Sequence, residues 1–249
     1  MLRTIWIMWL RELKKFSRSR SRIIGALGQP ILFLLALGYG LGSVFQAAGQ
    51  GSYLQFLAPG VIGMAIIFTS IFNGMQIIWD RQFGFLKETL VAPVSRVAIV
   101  LGRTFGGATV ATLQGCIVFA LTLGLGFHPH SWALVIPAIL VMFLMASLFS
   151  ALGITVASFV TDMQGFQLVM NFLVMPMFFL SGALFPLTNI PPLLRTLATI
   201  DPLSYGVDGM RALLIDARHF DMATDVTVLL AIITAFLGIG SYRFTNLEA

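Results

Sequence analysis

The sequence predicts an all-α integral membrane protein. It has six transmembrane helices, an N-terminal amphipathic helix at the interface, a short cytoplasmic helix after the second span, and short re-entrant helices before the last. Three observations carry this reading. Of the 249 residues, 58% are hydrophobic and only 10% charged, with a mean hydropathy of +0.93, whereas a soluble domain carries about 25% charged residues. The apolar runs are continuous rather than alternating, the pattern of spanning helices and not of a membrane barrel. Lysine and arginine are segregated along the chain, as a polytopic topology requires.

Residues 1–22 open the chain as a basic segment. Leu2, Trp6, Trp9, Leu13 and Phe16 follow a helical stripe, with Arg11, Lys14, Lys15 and Arg18 opposite. Such a helix is expected along the cytoplasmic interface with its tryptophans at headgroup depth; a solvated basic tail is the alternative. A basic and then apolar start also suits a signal peptide. The uncharged run 23–45 is too long for one, however, and no small-residue cleavage site follows it. It reads as a retained first span.

Further charge-free runs fall at about 54–79, 104–127, 132–160, 164–187 and 226–242, the last of them short. Pro30, Pro59, Pro137 and Pro176 lie in or near these runs, which membrane helices tolerate where neighbours satisfy the freed carbonyls. Residues 188–223 are too polar and proline-rich for one span. Their segments "LRTLATI" and "DPLSYGVDGMRALLI" read as short helices at the outer face, broken by Pro202 and Gly206. The whole of 1–249 is then a single transmembrane domain.

Orientation follows from the basic residues. Arg3, Arg11, Lys14, Lys15, Arg18, Arg20 and Arg22 precede the first span, Arg81, Lys87, Arg96 and Arg103 flank the loop after the second, and Arg243 follows the sixth. Only Arg195, Arg211 and Arg218 fall on the other side. The positive-inside rule makes the first set cytoplasmic, with both termini inside. The net charge of +5 is explained by this topology and not by nucleic acid.

Several chemistries have no motif here. There is no G-x-x-x-x-G-K-[ST] loop for nucleotide, no H-E-x-x-H and no G-x-S-x-G. The one cysteine, Cys116, excludes a disulfide framework. "HPH" at His128 and His130 has no third ligand nearby, so no metal is expected. An enzyme is not expected either. Every Asp and Glu falls outside the runs or at their ends, whereas ion-coupled carriers generally need an ionisable group near the midplane. An ion-coupled or passive carrier working without an ATPase remains the alternative.

Neutral polar groups do lie within the runs: Asn73, Gln76, Gln114, Gln167 and Asn171. They are either interhelical hydrogen-bonding groups or the lining of a substrate route. Gly102, Gly106, Ala111 and Gly115 form a small-residue ridge suited to close helix packing. After the second run, residues 82–92 read as a short amphipathic helix. Phe83, Leu86 and Leu90 share one face, while Phe85 points away, near Glu88. An aromatic on each side needs two hydrophobic surroundings, which the bundle and a soluble partner would supply, with Lys87 and Glu88 at the rim. Lying in the headgroups is the alternative.

With "FLKETLVAPVSR" after the second run and "IDPLSYGVDGMRALL" before the sixth, the chain resembles the membrane subunits of ABC-2 type exporters. That permease family includes drug-resistance, lipo-oligosaccharide and polysaccharide exporters. The resemblance covers essentially the whole length. It implies that residues 82–92 are a coupling helix docking on a separate ATPase subunit, through Phe83, Phe85, Leu86, Lys87, Glu88 and Leu90. The N-terminal helix, with Trp6, Trp9, Arg11, Lys14 and Lys15, would border that contact. Pro202, Tyr205, Asp208 and Arg211 would lie in outer re-entrant helices near the exit. It further implies no cofactor on this chain, with ATP and magnesium held by two ATPase copies. A second copy of the permease, as a homodimer, and the membrane lipids complete the expected partners.

Overall fold

The computed structural model describes residues 1–47, 51–84, 94–187 and 190–245, and among these there is no strand. The helices are α1 Leu2–Arg18, α2 Arg20–Phe33, α3 Gly42–Ala47, α4 Tyr53–Gln82, α5 Arg96–Gly124, α6 Val135–Phe159, α7 Met163–Leu180, α8 Pro192–Ile200, α9 Pro202–Ile215 and α10 Met222–Thr245. Five of the described helices (α4, α5, α6, α7 and α10) are long and apolar enough to cross a membrane. A sixth is added if Leu2–Arg18 and Ile23–Tyr39, which meet at 73°, count as one broken span.

Burial ranks the helices. The most apolar window of α4 is 78% buried, against 22% for α7 and 17% for α10, so α4 is the central helix and the other two form the periphery. Ile62, Ile66 and Ile67 of α4 are fully enclosed, with α5 and α6 packed on its sides. The backbones of α4 and α6 meet at Gly74 and Gly153, where a side chain would collide with the facing main chain. Helices in lipid gain no hydrophobic driving force from one another, so close backbone contact of this kind supplies the attraction.

The expected boundaries are corrected in four places. The first run, 23–45, is helical without being one regular helix: α2 gives way to a π-helical stretch, Leu34–Tyr39, before α3. Pro30 lies just upstream. It lacks an N–H and crowds the carbonyl four residues earlier, and a change of hydrogen-bond register is one way a helix absorbs that. The fifth run ends early, because α7 stops at Leu180 and the chain turns at Gly182 (φ +73°). The sixth is not short. α10 takes in Asp225 in its first turn and Arg243 in its last, both of which a charge-free window excludes although each suits the helix dipole at its end. Finally, Gly206 does not break the outer segment. It lies inside α9, where a Cβ would meet the side chain of Met145.

The first part of the ridge on α5 seats α1, while Gly115 faces Ile62 and Ile66 of α4. At Gly102 an added Cβ would come within 2.9 Å of the Ile5 carbonyl oxygen, and at Gly106 within 2.9 Å of the Glu12 side chain. Only glycine lets the two helices approach this closely. α1 is therefore docked along the start of α5 and is not a detached tail.

Candidate functional site

Two polar centres sit at opposite ends of the bundle, and a groove leads away from one of them. The first centre is at the foot of α4. Asp80, almost fully buried, accepts from Arg103 of α5 and from Arg11 of α1, the latter at 3.2 and 3.3 Å. Lys15, one turn beyond Arg11, donates to Gln76 at 3.1 Å and lies 3.8 Å from Glu12. Trp9 donates its indole N–H to the Thr109 hydroxyl at 2.9 Å and stacks on the exposed Trp6. The face of α1 that reads as basic and solvated thus turns two of its cations, Arg11 and Lys15, toward α4, while Lys14 stays exposed. Asp80, Arg103 and Glu12 escape a sequence reading. The only signal for Asp80 and Arg103 is an acid and a base at neighbouring ends of two consecutive spans, and Glu12 has none.

Next to Asp80, Arg81 donates to the carbonyls of Val160 and Ala157 at 3.2 and 3.4 Å. This ties the end of α4 to the end of α6 and satisfies carbonyls that a helix terminus leaves unpaired. α4 then closes with Phe83, whose ring is exposed and 6.0 Å from that of Trp79, and with Gly84 at φ +79°. Of the expected coupling residues only Phe83 is placed; Phe85, Leu86, Lys87, Glu88 and Leu90 lie outside the described residues.

The groove runs between α1 and α2 on one side and α4 on the other, with a volume of about 920 Å³. It begins at Lys15, Arg18 and Asp80 and reaches Met64, Pro30 and Gln114. A smaller recess between α4 and α7 shares Phe68, Phe72 and Met75 with it and is lined by Gln167 and Asn171. Of the five neutral polar residues, four therefore border these two spaces. Asn73 does not: it is buried in helix packing and donates to the Gly107 carbonyl at 3.2 Å.

The second centre lies at the opposite end. Pro202 starts α9, capped by Asp201, whose carboxylate accepts from the Leu203 N–H at 2.9 Å. Burial pushes the Asp201 carboxyl up to about 7, against that hydrogen bond. Tyr205 donates to the Thr199 carbonyl at 2.6 Å and stacks on Phe220. Asp208 accepts the N–H groups of His219 and Phe220 at 2.7–3.0 Å, holding the loop before α10. Arg211 donates to the Gly182 carbonyl at 3.0 Å with its guanidinium 4.0 Å over the Phe56 ring. α9 packs as deep as Gly63 of α4, which faces Val207 and Met210. All four residues read as an outer group are thus brought together here, together with Asp201 and Asp225. His128 is taken up by Gln55 and the Gly126 carbonyl, and the His130 N–H donates to the Leu214 carbonyl.

This is a polytopic helical membrane protein with ion-paired helix ends and no nucleotide-binding loop motif in its sequence. A sequence profile of the ABC-2 type transporter family matches residues 3–215, and the chain belongs to that family. It is 29% identical over 246 residues to the inner membrane transport permease YadH of Escherichia coli (strain K12), covering 95% of this chain and 94% of that protein. It is 28% identical over 228 residues to nodulation protein J of Rhizobium leguminosarum bv. trifolii, covering 90% and 86% respectively. With nodulation protein J of Sinorhizobium fredii (strain NBRC 101917 / NGR234) the identity is 26% over 241 residues, covering 94% and 91%. Permeases of this family are the membrane subunits of ABC transporters and work with an ABC ATPase subunit.

Proposed function

We propose that the chain is the permease subunit of an ATP-driven exporter in the plasma membrane of a prokaryote. It would move an amphipathic or lipid-linked substrate outward, with both termini cytoplasmic and ATP hydrolysed by two copies of a separate subunit. The observation that supports this most is the anchoring of the segment that precedes residues 82–92. Asp80 and Arg81 together bond α4 to α1, α5 and α6, so a displacement of the following segment is delivered to four helices at once. On this reading residues 82–92 are the coupling helix, α1 borders the ATPase, and α8 and α9 form a re-entrant cap near the exit.

A second copy of the chain completes the transporter. α7 exposes Gln167 and Asn171 beside Leu168 and Phe172, and amides facing hydrocarbon lack partners. A homodimer with this face turned inward supplies them.

Co-purification with the ATPase subunit tests the reading. Phe85→Ala and Glu88→Lys are expected to weaken association, or to uncouple hydrolysis from transport, with membrane insertion unchanged. Normal transport by both variants overturns the coupling assignment. Uphill transport by the purified chain alone in sealed vesicles overturns the whole reading.

A further inference from the structure

The groove beside α4 is graded from charged to neutral polar along its length, with large apolar side chains of α4 interleaved among the polar ones. Lys15 and Arg18 stand at its mouth, and the one carboxylate among its described lining residues, Asp80, is already held by Arg11 and Arg103. Arg18 is exposed and makes no hydrogen bond or ion pair among the described residues. From Asp80 to Met64 the groove follows α4 over sixteen residue steps, about 24 Å at the helical rise.

Along that length come Gln76, Thr69, Gln114 and, from α2, Gln29. Gln114 is 1% exposed, and its amide oxygen has no hydrogen-bond partner among the described residues. Its amide nitrogen donates to the Ile23 carbonyl at 3.4 Å. Gln29 is exposed on the groove side and likewise makes no bond among the described residues. Amides left unpaired away from water are costly, so a ligand that supplies partners is favoured. On α4, Phe68 adjoins Thr69, Phe72 and Met75 lie between Thr69 and Gln76, and Trp79 comes a turn further on, so apolar surface runs beside the polar groups.

We propose that this groove binds an anionic amphiphile taken from the adjoining leaflet. The acidic head engages Lys15 and Arg18, its hydroxyl or amide groups meet Gln76, Gln114 and Gln29, and its acyl chain lies along Phe68, Phe72 and Trp79. The charge at the mouth selects the head, and the glutamines give its polar part successive partners toward the middle of the membrane. The proposal rests on the export reading for the leaflet and the direction of travel, and on the groove alone for binding.

Trp79, half exposed on the groove wall, is a built-in reporter. The full chain is placed in phosphatidylcholine vesicles containing either acyl-brominated phosphatidylglycerol or acyl-brominated phosphatidylcholine. Quenching of Trp79 is read as the difference from Trp79→Phe. Phosphatidylglycerol is expected to quench at a lower mole fraction, by roughly fivefold for each basic residue engaged, and less so at high salt. Arg18→Gln should remove about fivefold of the preference, and Gln29→Leu should weaken it further. Neither residue makes a described bond whose loss would unfold the protein. Lys14→Gln, exposed on α1 and outside the groove, should leave the preference intact. Equal quenching by the two lipids overturns the site, as does an equal loss with Lys14→Gln and Arg18→Gln. An unchanged preference in Gln29→Leu overturns the role given to the amides. The lipid preference persisting while ATPase co-purification fails would bring down the exporter reading and leave the groove standing.

Discussion

At the Asp80 end, charged side chains bond to one another across helices; at the Asp208 end, they bond mostly to backbone. Arg11, Asp80 and Arg103 join α1, α4 and α5 directly. Asp208 instead holds two loop N–H groups, and Arg211 holds the Gly182 carbonyl while stacking on Phe56. Neither oxygen of Asp225, which is 1% exposed, has a hydrogen-bond partner among the described residues. The difference is mechanical. One end clamps helices to helices, and the other fastens loops onto helices.

The comparison breaks first if the clamp proves dispensable. Asp80→Asn leaves Arg103 buried without its counter-charge, and removing one partner of a buried pair costs about 3–5 kcal/mol. Thermal unfolding in detergent should show the largest drop of any substitution here, with α1 released to protease. A loss smaller than that of Arg211→Ala would reverse the ranking of the two ends. Arg211→Ala removes a charged hydrogen bond and a ring contact, and about 2–3 kcal/mol is expected. Its signature is faster proteolysis between α7 and α8, with α1 still protected.

Gly106→Leu sharpens the picture of the clamp. It drives a side chain into Glu12 and Trp9, an overpacking cost of about 1–3 kcal/mol. Cysteine labelling along α1 should rise while the protein stays monodisperse. The last effect belongs to Asp201 and depends on pH. Its carboxyl titrates near 7 instead of at the ordinary 3.8, so from about pH 4 to 7 the unfolded chain gives up a proton that the folded one keeps. Stability therefore falls as pH rises through that window. Asp201→Asn retains an acceptor for the Leu203 N–H and has no charge to bury. The variant should therefore melt higher than the parent protein at pH 8, with no gain at pH 4.

Hydropathy is the part of this fold that a linear reading captures well. The runs at 54–79 and 132–160 recur as α4 and α6 because their interiors hold no charge to confuse the window. The limits of α10 are hidden by Asp225 and Arg243, which belong to the helix although they bound its uncharged stretch. The small-residue ridge is legible as a packing surface, yet nothing in its spacing says that α1 is what packs there. Pairing across distance is the least accessible. Asp80 and Arg103 are 23 residues apart and each looks like an ordinary flanking charge. Among the neutral polar residues, Gln76 and Gln114 share a groove and Asn73 does not. A residue list cannot separate them, because burial against Gly107 depends on how α4 is rotated against α5. Gln29 carries the same chemical signal as Gln114, and only the shape of the groove brings it into the same set.

Arg81 has one more consequence. By gripping the last carbonyls of α6, it welds two non-consecutive crossings into a single stiff lever at their shared end. On the proposed reading, a displacement just past residue 82 would carry both helices together. The next break along the chain is Val160 to Asp162, where the thinly covered α7 begins.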